Sequence, residues 1–270
     1  MRPFLAFDTA TDHLALALGD LDAPGAVIAA EDFVAPRAAN TVLLAAVEWL
    51  LERAGLSVDE LGAVACGRGP GSFTGVRIGV VTAKGLAHGL GVPLVGFGTL
   101  DAVAFRAATE GLVGVVGDAM RGEVYPALFR AAAGVTRRLE ADHVVRPEEA
   151  AAAWAALGEP LTLTGAGLGK HRAVFESVLA ARVRIAEERV WAPDGRALVA
   201  AAWAAEGPLT VRALGGLDAG SALEVAHPAV LLPVYTRLSD AEEAERVRRG
   251  TGQGAVPAGG VSGPSEGERT

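Results

Sequence analysis

A glycine-rich segment at residues 67–79, GRGPGSFTGVRIG, is the densest group of residues in the chain that could do chemistry. It follows an apolar run that predicts a buried strand and leads into a run that predicts a helix. A loop in this position can hold a phosphate group, because its backbone N–H groups and the helix dipole attract an anion. The GxxxxGK[ST] pattern of nucleotide-binding loops is absent, however, since Lys84 lies well inside the predicted helix, and Pro70 removes one N–H from the loop.

The alternative for this segment is a sharp structural turn. Its glycines would then supply unusual backbone angles, and Ser72 or Thr74 would cap the helix. The residues of this predicted structural loop are Gly67, Gly69, Gly71, Ser72, Phe73 and Thr74. The residue types alone leave both interpretations open.

Other residue types that carry catalysis are sparse. Asp8 ends the first apolar run, where a carboxylate can hold a metal ion, orient a water molecule or cap a turn. No two of the 5 histidines have the spacing of a metal-binding helix. The single cysteine, Cys66, lies in a predicted buried strand, where we expect an inert core thiol. The sequence therefore predicts neither a catalytic residue nor a set of metal ligands.

Two predicted helices carry faces suited to contact with another chain. The helix at 75–88 has small residues at intervals of four, which share one face and would let a second helix approach closely. The helix at 40–53 is apolar nearly all round, which is more than a helix on a sheet needs. We therefore expect a subunit interface made by Leu43, Val47, Leu50, Gly75, Gly79, Ala83 and Ala87. The alternative is that the small residues pack inside their own domain.

The order of apolar runs predicts the elements that position these residues. Three strands are followed by a helix, a strand, a helix and a strand, and a similar order recurs from about residue 112. This alternation is typical of an α/β protein. Asn40 is the predicted N-cap of the first helix, and Gly55 is predicted to follow its end as the C′ residue. Residues 239–270 are rich in charge, glycine and proline, which predicts a disordered tail.

Composition restricts the class of protein. A chain of 270 residues with 51% hydrophobic and 21% charged residues is globular. The net charge of −8 disfavours a role as the main nucleic-acid-binding surface, because phosphate contacts require a basic face. No uncharged apolar run approaches the roughly 18 residues of a membrane span, and Asp8 interrupts the first apolar run before a secretion signal could form. These features predict a cytoplasmic protein without an internal disulfide.

Four segments of the chain resemble one known family. They are FDTAT at 7–11, GRGPGSFTGVRIG at 67–79, DAMRGEVY at 118–125 and PVYTR at 233–237, in this order. Together they are similar to the signatures of the bacterial TsaB (YeaZ) family, the accessory subunit of the tRNA threonylcarbamoyladenosine synthase. The long glycine-rich segment is the most specific of the four.

The resemblance implies an α/β fold of the actin-like (ASKHA) class, with two related lobes that each hold a mixed sheet flanked by helices. The expected N-terminal lobe spans residues 1–105 and carries the partner-binding helices, the C-terminal lobe spans 106–238, and the tail spans 239–270. The implied function is that of a non-catalytic subunit. It would bind and support the catalytic TsaD subunit in threonylcarbamoylation of the adenosine beside the tRNA anticodon.

The resemblance also implies the partners of the chain. These are TsaD, TsaE in a ternary complex, a second copy of the chain in isolation, and tRNA mainly through the complex. No cofactor is expected in this chain, whereas ATP and a metal ion are expected in the partner subunits. One departure concerns Ala39, which stands where many family members have a histidine.

Two other functions remain open. The first is an active ATPase or kinase of the same fold class, which would need phosphate loops in both lobes. The second lobe offers only the glycine cluster TGAGLG at 164–169. The second alternative is a peptidase of the related glycoprotease-like group, which would need a nucleophile with its base or a pair of metal ligands.

Overall fold

The first lobe is built on a five-stranded mixed sheet. The structure is a computed structural model that describes residues 1–133, 135–205 and 231–234. The elements of this lobe are β1 (Pro3–Asp8), β2 (His13–Asp20), β3 (Val27–Val34), α1 (Ala39–Ala54), β4 (Ala63–Gly67), α2 (Phe73–Leu90) and β5 (Leu94–Phe97). The strand order is β3-β2-β1-β4-β5. The strands β1, β2 and β3 are antiparallel, whereas β4 is parallel to β1 and β5 is parallel to β4.

The central strand β1 is buried on both faces, because helices cover both sides of the sheet. Successive side chains of a strand point to opposite faces. Leu5 and Phe7 accordingly pack in the cluster that holds residues of α1 and α2. Phe4 and Ala6 pack in a separate cluster on the other face. This sheet therefore holds α1 and α2 together on one side.

The second sheet repeats the topology of the first. Its elements are β6 (Gly111–Asp118), β7 (Val124–Ala132), β8 (Val135–Arg138), α4 (Pro147–Ala155), β9 (Leu161–Thr164), α5 (Leu168–Leu179) and β10 (Val183–Ile185), preceded by α3 (Thr99–Ala107). The order β8-β7-β6-β9-β10 matches the first sheet strand for strand. The predicted pair of related lobes, each with a mixed sheet flanked by helices, is thus confirmed. Short 3₁₀ turns lie at Val58–Glu60, Ala180–Arg182 and Glu188–Val190.

The last described helix, α6 (Gly195–Ala205), packs on the first sheet. Its apolar residues, among them Leu198 and Val199, join the cluster of Phe4 and Ala6. The predicted bounds allot this helix to the C-terminal lobe, but its apolar face covers the side of the first sheet that α1 and α2 leave open. The predicted tail at 239–270 lies outside the described residues. Within the described ranges, no helix has the length and apolar character needed to cross a membrane.

The predictions for the ends of α1 are partly confirmed, and two short elements have no clear pattern in the sequence. Gly55 adopts the left-handed conformation at φ 68° and closes α1, as predicted. The predicted Asn40 cap is wrong, because the helix already begins at Ala39 and Ala38 precedes it without a side-chain cap. The elements α3 and β10 were not predicted, since both are too short to show a clear period.

Candidate functional site

The glycine-rich loop lies directly against the turn that follows β1. A Cβ atom at Gly71 would overlap the carbonyl oxygen of Ala10, and one at Gly75 would overlap that of Thr9. Across this contact, the amide of Ser72 donates to the Ala10 carbonyl at 2.7 Å, and the Thr9 hydroxyl donates to the Gly75 carbonyl at 2.7 Å. The missing side chains therefore let the start of α2 touch the FDTAT segment.

The loop ends in a regular helix cap. Ser72 is the N-cap of α2, and its Oγ accepts a hydrogen bond from the amide of Gly75 at 3.2 Å. Gly69 has a φ of +90°, a conformation that other residues rarely adopt. The amides of Gly69, Ser72 and Gly75 all donate to atoms of the chain itself. This geometry favours the structural turn over a phosphate cradle.

Asp8 lies at the centre of this arrangement and is fully buried. Its Oδ1 accepts from the amide of Ala10 at 2.8 Å, and its Oδ2 accepts from the hydroxyl of Thr99 at 2.6 Å. Thr99 Oγ1 in turn accepts from the amide of Gly69 at 3.2 Å. A Cβ at Gly67 would overlap the carboxylate, so only glycine leaves room for it.

Burial raises the pKa of the Asp8 carboxyl, while the hydrogen bonds from Thr99 and Ala10 act in the opposite direction. The carboxylate caps a turn, which is one of the three roles that the sequence left open, and it joins β1 to the loop and to α3. Burial also raises the pKa of the neighbouring Cys66 thiol to about 12, so the reactive thiolate is strongly disfavoured. In the described part of the chain, no group of three or more His, Cys, Asp or Glu side chains could hold a metal ion.

The second lobe carries a similar arrangement, in which the carboxylate at the strand end is more exposed. Asp118 ends β6 as Asp8 ends β1, and its Oδ1 accepts from the amide of Met120 at 2.9 Å. Its Oδ2 is paired with Nζ of Lys170 at 2.5 Å. Gly165 and Gly167 pack on Val116, where a Cβ at either position would meet the backbone of β6. The sequence reasoning missed this ion pair, although the repeated order of elements could have pointed to Asp118.

The residues predicted for partner contact face the core of the chain instead. Leu43, Val47 and Leu50 of α1 are buried, and so are Gly75, Gly79, Ala83 and Ala87 of α2. The four-residue stripe faces the sheet, where Gly79 lies against the Thr9 side chain. The large residues of α1 fill the space above the same sheet. This residue assignment is corrected: the stripe packs inside its own domain, which was the alternative interpretation.

The outward faces of the same two helices carry a different set of apolar side chains. Leu44 is 60% exposed and Trp49 is 43% exposed on α1, while Val81 is 67% exposed and Phe73 is 37% exposed on α2. These four residues are called the exposed helix face below. Arginines lie over both aromatic rings: Arg53 is 4.8 Å from the Trp49 ring centre, and Arg77 is 3.7 Å from that of Phe73. A periodic pattern marks such faces but does not say which of them meets the sheet.

Comparison with known proteins gives consistent results. The family model described as TsaD, tRNA N6-adenosine threonylcarbamoyltransferase, matches residues 33–244. The tRNA threonylcarbamoyladenosine biosynthesis protein TsaB of Escherichia coli (strain K12) is 39% identical over 150 residues, which are 53% of this chain and 62% of the relative. The protein of the same name from Bacillus subtilis (strain 168) is 30% identical over 65% of this chain and 76% of its own length.

A solved structure, YeaZ from Pseudomonas aeruginosa, superimposes with a TM-score of 0.68 and 29% identity. The match covers 87% of this chain and 100% of that chain. The fold is accordingly the actin-like (ASKHA) fold that the resemblance implied. The match to the family model, the two bacterial relatives and the duplicated sheets lead to one conclusion: the chain belongs to the TsaB (YeaZ) family.

Proposed function

We propose that the chain acts in tRNA threonylcarbamoyladenosine biosynthesis as a non-catalytic subunit that binds and supports a TsaD homologue. The names of the relatives from Escherichia coli and Bacillus subtilis support the pathway. The chain would act in the cytoplasm. A TsaE homologue completes the complex, and the chain contacts tRNA mainly through that complex. ATP and a metal ion belong to the partner subunits.

The main support for a non-catalytic role is that the site around Asp8 is closed. A carboxylate that holds a metal ion or orients a water molecule must present an oxygen to it, but both oxygens of Asp8 accept hydrogen bonds from the chain and the residue is fully buried. Three amides of the adjoining loop also donate within the chain. The active ATPase or kinase alternative predicts instead that the purified chain hydrolyses ATP and loses that activity in Asp8→Asn.

We place the contact with the TsaD homologue on the exposed helix face. Four partly exposed apolar side chains on neighbouring helices gain free energy when a partner removes them from water. Glu48 and Glu52 lie exposed on α1 beside Leu44 and Trp49, so a partner with basic residues at the rim of its apolar surface would be complementary. A second copy of the chain would use the same face in isolation, and the two partners would compete for it.

Co-purification with the TsaD homologue of the same organism tests this contact. Leu44→Glu and Val81→Glu should each abolish co-purification without changing the circular dichroism or the thermal unfolding, because both side chains point into solvent. Leu157→Glu is the matched control, since Leu157 is an equally apolar side chain, 42% exposed, in the second lobe. Undiminished binding by both helix variants would contradict the proposed face.

The pathway itself is tested in cells. Removal of the gene should deplete threonylcarbamoyladenosine in tRNA, and a plasmid copy of the chain should restore it. Restoration by the Leu157→Glu variant but not by Val81→Glu would link the role to the exposed helix face. An unchanged level of the modified nucleoside after removal of the gene would contradict the proposed pathway.

A further inference from the structure

Arg68, in the glycine-rich loop, holds a segment from the far end of the chain. Its Nε donates to the carbonyl of Leu232 at 2.8 Å, and its own carbonyl accepts from the amide of Val234 at 2.8 Å. The side chain and the backbone of one residue thus bind two successive points of the segment 231–234. This segment is called the C-terminal strap below.

Packing reinforces the two hydrogen bonds. Leu231 is buried in the cluster that also contains Leu5 and residues of α1 and α2. Gly96 of β5 makes room for it, since a Cβ there would overlap both Cδ of Arg68 and Cδ1 of Leu231. The stem of Arg68 and the strap therefore share one small space above β5, and neither can shift without affecting the other.

The same arginine is tied to the centre of the loop from its other side. The amide of Arg68 donates to the carbonyl of Phe97 at 2.9 Å. The next residue, Gly69, exchanges hydrogen bonds with Thr99 through both of its backbone groups, and Thr99 donates to Asp8. The hydrogen bonds from the strap to Arg68, the peptide bond from Arg68 to Gly69, and the hydrogen bonds from Gly69 through Thr99 thus connect the strap to the buried carboxylate.

We propose that Arg68 is a positioning residue that couples the C-terminal strap to the glycine-rich loop, so that release of the strap loosens the loop and the start of α2. Phe73 stands at the start of α2 and belongs to the exposed helix face, so the position of the strap adjusts the surface offered to a partner. The coupling itself is a property of the chain alone. Its failure is therefore distinguishable from a failure of the proposed function.

Hydrogen exchange of the full chain measures this coupling at single amides. The reporters are the Val234 amide in the strap and the Gly69 and Thr99 amides in the loop, each of which donates within the chain. Arg68→Ala removes the guanidinium but keeps the backbone carbonyl. Because a hydrogen bond from a charged donor is among the stronger ones, exchange at all three amides should accelerate about tenfold or more.

A substitution in the strap provides the reciprocal test. Val234→Pro removes the amide that donates to Arg68, and under coupling it too should accelerate exchange at Gly69 and Thr99. It also keeps the test available if Arg68→Ala does not fold. The control is Arg182→Ala, which removes an arginine-to-carbonyl hydrogen bond of 3.0 Å, to Ala155, in the second lobe. Exchange at the three reporters should not change in this control.

Three results would overturn the proposal. If Arg68→Ala and Val234→Pro leave exchange at the Gly69 and Thr99 amides unchanged, the strap is attached to the loop but not coupled to it. If Arg68→Ala leaves the Val234 amide as protected as before, Arg68 does not hold the strap. Acceleration of the loop amides by Arg182→Ala to the same extent would also contradict it, because the effect would then be general destabilisation.

Discussion

At the scale of single residues, the buried carboxylate of Asp8 shows what sequence reasoning can and cannot find. Its position at the end of an apolar run marks it as a candidate, but its principal partner, Thr99, is 91 residues away along the chain. No local pattern predicts such a pair, because only the parallel arrangement of β1, β4 and β5 brings the two segments together. The choice between ligand site and turn cap therefore required the structure.

The Thr99 hydroxyl should be essential for stability. Thr99→Val keeps the shape of the side chain but leaves a fully buried carboxyl and the Gly69 amide without their partner, which should lower the free energy of unfolding by about 1–3 kcal/mol. Thr99→Ser retains the hydroxyl and should lose clearly less. Denaturant unfolding of both variants checks this, and equal losses would show that the hydroxyl is not what matters.

The raised pKa of Asp8 predicts a specific pH dependence. A folded-state pKa above the ordinary 3.8 means that the folded chain holds this proton more tightly than the unfolded chain. The associated stability is fully present below 3.8 and is lost as the pH rises through the folded-state pKa. The free energy of unfolding of the parent chain, minus that of Asp8→Asn, should therefore decrease as the pH rises above about 4. A difference that stays constant or grows as the pH rises above about 4 would contradict the raised pKa.

At the scale of elements, α2 shows why a correct pattern can lead to a wrong surface. The spacing of Gly75, Gly79, Ala83 and Ala87 correctly identifies one face of a helix. The pattern does not say what packs against the small residues, which could be a helix of another chain or a part of the same chain. In the structure, the turn after β1 packs against them. Ala83→Arg is consequently expected to unfold the first lobe, because the position is fully buried.

Two glycines of α2 give a matched pair of variants. Gly75→Ala places a Cβ against the Thr9 carbonyl oxygen and should cost about 1–3 kcal/mol of stability through overpacking. Gly85→Ala, in the same helix, meets nothing within 4 Å and should stabilise the chain by about 0.5–1 kcal/mol through helix propensity. Thermal unfolding of both variants tests this account. Destabilisation by Gly85→Ala equal to that by Gly75→Ala would show that the close approach is not the cause.

At the scale of the whole molecule, the duplication of the fold could be predicted because strand and helix signals recur in the same order. The strand order of each sheet and the return of α6 to the first sheet could not, because they depend on pairings between distant segments. The two lobes also differ in what the duplicated carboxylates do. Asp8 is closed inside the first lobe, whereas Asp118 is partly exposed and paired with Lys170.

The most direct test of a supporting, non-catalytic subunit is the yield of threonylcarbamoyladenosine in tRNA from purified components. The components are the TsaD and TsaE homologues of the same organism, this chain, tRNA, ATP and the threonylcarbamoyl donor. The complete mixture should modify tRNA, omission of this chain should abolish the product, and the chain without the TsaD homologue should form none. Undiminished modification without the chain, or modification by the chain alone, would contradict the account.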